Sequence, residues 1–117
     1  MRRFELSERE LREGCKVLAV SGELDLAVAG ELDELLTRLA AESPLVVVDL
    51  AGCEFIDSSG IAVILRAQQR IGAAGGKLAV CSPTAQVLRV LSMTGLTANG
   101  LVFDSEDQAL AAVKNQR

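Results

Sequence analysis

The run Leu45-Val46-Val47-Val48-Asp49-Leu50 is short, rich in β-branched residues and almost wholly apolar, the pattern of a strand covered on both faces. What covers it is written on either side. Before it, Val28, Leu32, Leu35, Leu36 and Leu39 fall on one face of a helix predicted over residues 26–41, with Glu31, Glu34, Arg38 and Glu42 opposite. After it, Ile61, Ile64, Leu65, Gln68 and Ile71 keep helical spacing again. A buried strand between two amphipathic helices is a β-α unit, and such units impose a largely parallel sheet.

The remaining elements continue the alternation. Residues 4–8 and 15–21 read as two strands joined by a polar turn over 9–14, with Gly22-Glu23-Leu24-Asp25 closing the pair and Asp25 placed to cap the helix that follows. Glu34 and Arg38 stand four apart as a favourable helix pair, and Pro44 ends that helix. Gly72-Ala73-Ala74-Gly75-Gly76 makes a turn into a fourth strand, Lys77-Leu78-Ala79-Val80-Cys81. Ser82-Pro83 is the preferred start of a helix, cap then proline, and that helix carries Val87, Val90 and Leu91 before Gly95 takes a left-handed position and Leu96 folds back. Leu101-Val102-Phe103 is a short fifth strand, and Ser105 with Gln108 forms a capping box for a terminal helix bearing Ala109, Leu110 and Val113. The order is ββαβαβαβα: an α/β fold with a mixed, mostly parallel sheet of about five strands and four helices, one domain over residues 1–117.

Composition agrees and removes several functions. Half the residues are hydrophobic but only 3% are aromatic, so the core is built of Leu, Val, Ile and Ala. Sixteen acidic against twelve basic residues give a net charge of −4 without a Lys/Arg cluster, which argues against nucleic-acid binding. The longest stretch without a charged residue, Val90 to Phe103, is 14 residues, short of the roughly 20 apolar residues that span a bilayer. Met1-Arg2-Arg3-Phe4-Glu5 does not continue into a signal peptide, so a soluble, cytoplasmic protein is expected. With no histidine and no CxxC pair among Cys15, Cys53 and Cys81, a metal site is not expected, and the thiols read as small core residues. A redox pair would join Cys53, after the third strand, to Cys81, at the end of the fourth.

Asp57-Ser58-Ser59-Gly60 sits where the strand hands over to the helix, a corner that displays backbone N–H groups and side chains to whatever docks there. Either serine can serve as the helix cap, and two serines leave one hydroxyl spare. Catalysis by that hydroxyl is disfavoured, because the chain has no histidine base and no GxSxG elbow. Gly72 to Lys77 is no phosphate loop: its spacing is one residue short and it runs from helix into strand. Glu23 with Asp25, and Glu54 with Asp57, read as solvated turn carboxylates rather than an acid–base pair. An exposed serine at a helix start is suited to reversible phosphorylation, since about −1.5 to −2 charges added there favour the helix dipole but oppose Asp57 and any acidic partner.

Gly22-Glu23-Leu24-Asp25, then Val46-Val47-Val48-Asp49-Leu50 followed by Phe55-Ile56-Asp57-Ser58-Ser59-Gly60-Ile61, then Thr94-Gly95-Leu96 resemble, in order and spacing, the STAS domains of bacterial anti-sigma factor antagonists. The similarity covers essentially the whole chain. It implies that Ser58 is the phosphoacceptor, with Ser59 the alternative acceptor and otherwise the helix cap. It also implies that the unphosphorylated form binds an anti-sigma factor that is a serine kinase of histidine-kinase-like ATPase fold, freeing a sigma factor. The kinase then phosphorylates the serine and breaks the complex, and a PP2C-type phosphatase restores it. The implied docking surface comprises Glu23, Leu24, Asp25, Asp57, Ser58, Ser59, Gly60 and the outer face of the next helix with Arg66 and Arg70, while Thr94 and Gly95 shape the surface nearby. ATP and Mg²⁺ belong to the kinase, so the chain needs no cofactor and is a substrate, not an enzyme. The alternative is a stand-alone STAS subunit of a stressosome-like scaffold or a transport complex.

Overall fold

The computed structural model describes residues 3–11 and 14–114. The order is β1 (Glu5–Glu10), β2 (Cys15–Leu24), α1 (Leu26–Glu42), β3 (Leu45–Ile56), α2 (Ser58–Ala73), β4 (Lys77–Cys81), α3 (Ala85–Met93), a 3-10 helix (Leu96–Asn99), β5 (Val102–Phe103) and α4 (Glu106–Lys114). The strands lie side by side in sequence order, with β1 antiparallel to β2 and every later pair parallel. The expected α/β fold and its ββαβαβαβα order are therefore present. Arg12 and Glu13 of the expected first turn, and Met1 and Arg2 of the N-terminal reading, lie outside the described residues.

The period of two along each strand divides the interior into two cores. Leu18 and Val20, Val46, Val48 and Leu50, and Leu78 and Val80 pack with α1, α2 and α3 through Leu32, Leu36, Ile64, Ile71, Val87 and Leu91. The alternate residues Cys15, Val17, Val47, Ala79 and Cys81 pack on the other face against Ala109 and Val113 of α4. A three-layer arrangement follows from this sorting, the sheet between α1, α2 and α3 on one face and α4 on the other, and no aromatic side chain is needed at the centre of either core.

Two strands are longer than expected, and this builds the end of the sheet where β2 and β3 hand over to their helices. β2 runs on through Gly22 to Leu24, and β3 through Gly52 to Ile56. Gly22 suggested the end of β2, but the glycines sit at register shifts between Ala19 and Ser21 and between Gly22 and Glu23, with Gly52 opposite Ser21 and Cys53 opposite Gly22. Glycine inside a strand often marks a bulge, and here pairing resumes beyond it as Glu23 opposite Phe55 and Leu24 opposite Ile56.

Other differences have equally local causes. Arg38 pairs with Glu42 at 3.2 Å and with Glu8 of β1 at 2.9 Å instead of with Glu34. Ser82 does not cap α3. It is held at φ 57°, with its N–H bonded to the Phe103 carbonyl at 3.0 Å, and the Thr84 hydroxyl takes over the cap by accepting from Val87 N–H at 3.3 Å. The end of α3 matches expectation, with Gly95 at φ 81° and Leu96 buried, although the 3-10 turn after it carries no periodic signal in so short a stretch. In α4, Ser105 accepts from Gln108 N–H at 3.2 Å as a cap, while the Gln108 side chain reaches the Asp104 N–H at 3.1 Å rather than that of Ser105.

Ser82 is the one non-glycine with positive φ among the described residues. A left-handed backbone costs an L side chain about 1–2 kcal/mol, and more when the side chain is β-branched. Ser82→Gly is therefore expected to be at least about 1 kcal/mol more stable than Ser82→Val in urea denaturation. Equal midpoints and slopes for the two variants would refute the strain.

Candidate functional site

β2 and β3 end as a pair, and each is followed at once by an aspartate that starts a helix. Asp25 and Asp57 have nearly the same extended backbone, φ −125° and −114°, and each carboxylate accepts from its own helix. Asp25 takes Ala27 N–H at 3.0 Å; Asp57 takes Ser59 N–H at 2.9 Å and Gly60 N–H at 3.3 Å. A further bond, Asp57 N–H to the Leu24 carbonyl at 3.2 Å, ties the two corners together. The positive ends of α1 and α2 thus open side by side at the carboxyl ends of β2 and β3, each balanced by a carboxylate.

This geometry corrects the cap assignment. Neither Ser58 nor Ser59 caps α2; Asp57 does, and the serines occupy the first and second helical positions. The physical reason is reach, because a carboxylate one residue before the helix faces the second and third amides together, whereas the serines are already inside the first turn. The signal was available in the sequence, since Asp25 stands before Leu26 as Asp57 stands before Ser58. Both hydroxyls are consequently released from capping. Ser58 is exposed, and Ser59 is partly buried.

Glu23 and Arg66 are also exposed, and Asp25 and Asp57 partly so, while Phe55 keeps 39% of its surface in solvent. Leu24 and Gly60 face inward. Leu24 is fully buried, and a Cβ built on Gly60 would lie 2.6 Å from Leu24 Cγ and 3.1 Å from Ile56 Cγ1. Their part is to bring α2 close to the strand ends, not to offer side chains to a partner. Thr94 and Gly95 are not brought to the corner: they end α3, roughly 14 Å of helix beyond the Thr84 cap, and the Thr94 hydroxyl donates to the Leu91 carbonyl at 2.8 Å.

Beside the corner, α1 and α2 leave a groove of about 260 Å³, lined along α1 by Leu26, Ala29, Gly30 and Asp33 and along α2 by Ser59, Ala62, Val63 and Arg66. Leu26, Gly30 and Asp33 are the members that sequence reasoning missed, because they lie off the apolar face of α1. Their spacing of i, i+4 and i+7 matches Ser59, Val63 and Arg66 opposite, and that repeat is the signal that could have found them. Gly30 is an interior helical residue, where glycine costs about 1 kcal/mol relative to alanine.

Redox or metal chemistry gains no support here. Cys53 belongs to the core under α1 and α2, and Cys81 to the core under α4, so the thiols are the small core residues expected and the sheet separates the two that the alternative redox pair would join. Burial pushes the Cys81 thiol up to about 11 and raises those of Cys15 and Cys53 as well, which keeps all three protonated at neutral pH. No group of three potential metal ligands occurs among the described residues.

The cap and the glycine make separable predictions. Asp57→Ala should cost about 1–2 kcal/mol in chemical denaturation, whereas Ser58→Ala and Ser59→Ala should each change stability by less than about 0.5 kcal/mol. A serine variant as damaging as Asp57→Ala would return the cap to that serine. Gly60→Ala should cost about 1–3 kcal/mol, because Leu24 is too enclosed to retreat; an unchanged midpoint would show that α2 can shift freely.

Comparison with known proteins places this arrangement. An anti-sigma F factor antagonist of Paenibacillus polymyxa is 35% identical over 111 residues, covering 92% of this chain and 93% of its own. The anti-sigma-F factor antagonist RsfB of Mycobacterium tuberculosis is 30% identical over 105 residues, covering 89% and 85%. A crystal structure of an anti-sigma factor antagonist from Mycobacterium paratuberculosis superposes with a TM-score of 0.86 at 26% identity, over 97% of this chain and 96% of that one. Residues 7–109, which hold the paired strand ends, both aspartate caps and the serine corner, match the STAS domain, and the chain belongs to that family.

Proposed function

We propose that the chain is an anti-sigma factor antagonist that docks its partner on the Asp57-Ser58 corner, and that phosphorylation of Ser58 ends the docking. The observation that carries this reading is the cap: with Asp57 holding the amides of Ser59 and Gly60, the exposed Ser58 hydroxyl has no structural duty. The names of the relatives supply the partner class, an anti-sigma factor. Ser59, also free of the cap, is the alternative acceptor.

The electrostatics suit a switch. A phosphate at the first helical position lies at the positive end of α2, so the helix tolerates it. The same phosphate stands one residue from Asp57 and would have to shed water wherever a partner packs against the corner, and both effects oppose a complex. Glu23, Asp25 and Arg66 complete the polar rim of that surface. In this reading the partner is a serine kinase of histidine-kinase-like fold that brings ATP and Mg²⁺, a PP2C-type phosphatase reverses the modification, and the exchange takes place in the cytoplasm. The chain contributes a surface and an acceptor hydroxyl, not a catalytic group.

The test uses calorimetric titration of the full chain into each purified anti-sigma factor kinase of the source organism, with ADP present. Ser58→Ala should bind one of them and resist phosphorylation, while Ser58→Asp should bind that partner at least several-fold more weakly. Stoichiometric phosphorylation of Ser58→Ala would move the acceptor to Ser59; equal affinity of Ser58→Asp and the unsubstituted chain would remove the switch.

A further inference from the structure

We propose that the cleft between the end of α2 and the start of β4 is a binding site for a small organic anion, whose phosphate or carboxylate group sits on Lys77. The site is separate from the Ser58 corner: Ser58 and Gly72 stand at opposite ends of α2, roughly 21 Å of helix apart. The inference does not rest on the reading of that corner.

The cleft encloses about 450 Å³ and is lined by Gln68, Gln69 and Gly72 of α2, by Lys77 and Leu78 of β4, and by Gly100 before β5. That space is in the range of small-molecule sites. Among the described residues Lys77 is the only charged group in its lining, although the chain as a whole carries a net charge of −4. Lys77 is half-buried, and its ammonium has no ion pair or hydrogen bond among the described residues, whereas Lys16 and Arg38 are each paired with carboxylates. The amide of Gln68, also half-buried, and that of Gln69 are likewise without a bond among the described residues. A partly desolvated ammonium and amide without partners leave their strongest interactions open to a ligand.

The backbone sets these groups in place. Lys77 N–H bonds the Pro44 carbonyl at 2.7 Å and Lys77 pairs with Leu45 in the sheet, so its side chain leaves from a fixed strand. Bare carbonyls at the end of α2 would repel an anion, but those of Arg70, Ile71 and Gly72 accept from the N–H groups of Ala74, Gly75 and Gly76. A Cβ built on Gly72 or on Gly100 meets nothing within 4 Å, so both leave open room in the wall. The chemistry of the lining selects the ligand. An ammonium is a point charge for an oxyanion, the carboxamides donate to its remaining oxygens, and a cation finds no carboxylate in the described lining.

The test is an NMR titration of the ¹⁵N-labelled full chain with sodium phosphate and, separately, sodium succinate, at constant ionic strength. Amide signals of Gln68, Gln69, Gly72 and Gly100 should shift and saturate with a Kd of about 10 mM or tighter for at least one of the two. Saturation by phosphate alone assigns a phosphorylated ligand, by succinate alone a carboxylate, and by both the shared anion chemistry. Lys77→Gln should weaken the binding at least tenfold and Lys77→Arg should keep it within threefold, while Lys114→Gln, which removes a positive charge from α4, should leave it unchanged. Gly72→Leu, which fills the cleft from a helical position, should keep Tm and also weaken binding at least tenfold; it decides the matter if Lys77→Gln does not fold. Shifts that fail to saturate with either anion, or that survive both Lys77→Gln and Gly72→Leu, would overturn the site.

Discussion

The contact of Gly60 with Leu24 and Ile56 sets the geometry of everything above it. α2 rests on the ends of β2 and β3 with no side chain between them, at a distance where any Cβ would overlap the Leu24 branch. Leu24 is itself fully buried, so the separation is fixed from below as well as from above. The Asp57 N–H bonds the Leu24 carbonyl as the last rung of the β2–β3 pairing, which sets the start of α2 beside the start of α1. The neighbouring helix starts and the groove between α1 and α2 both accompany this close approach of Gly60 to Leu24 and Ile56.

Polar pairing rigidifies the edges without involving the corner. Arg38 joins Glu8 of β1 to Glu42 at the end of α1, Lys16 reaches Glu42 at 3.4 Å, and Arg9 bonds Glu106 of α4 at 2.6 Å. Exposed pairs of this kind each add little to stability. Their value is positional: they hold the antiparallel edge strand against helices on both faces. The carboxylates of Asp25 and Asp57 are committed instead to backbone amides, where they stabilise helix starts.

Much of this was legible in the sequence because it depends on periodicity. Val46 to Val48 and Leu78 to Val80 alternate between two cores that the sequence could only show as continuous apolar runs, since a strand covered on both faces has no polar side to reveal its phase. Asp25 and Gly95 were readable as caps because each ends a periodic segment. Gly22 misled because a bulge and a strand end look alike until the pairing partner is known. Ser59 misled as a cap because two residue types with the same preference stood in a row, and only distance from the carboxylate to the amides separates Asp57 from its neighbours. The groove was hidden for a deeper reason: Leu26, Gly30 and Asp33 acquire meaning only when α2 lies alongside, and that approach depends on Gly60.

The separation of core from corner is what would let the proposed phosphorylation of Ser58 act on docking and spare the fold. Both cores close below the level of Asp57, and the last paired residues, Leu24 and Ile56, are buried whatever Ser58 carries. Ser58 itself is exposed and its hydroxyl caps no amide of α2. A phosphate there meets the α2 dipole with the favourable sign, worth roughly 0.3–1 kcal/mol at an exposed helix end, so the folded state is not penalised. A partner docking on that corner, as proposed, would meet the same phosphate as a bulky dianion that must be stripped of water next to Asp57. Under the proposed switch the domain would therefore be stable in both states, and the free energy of modification would fall on the interface with the partner.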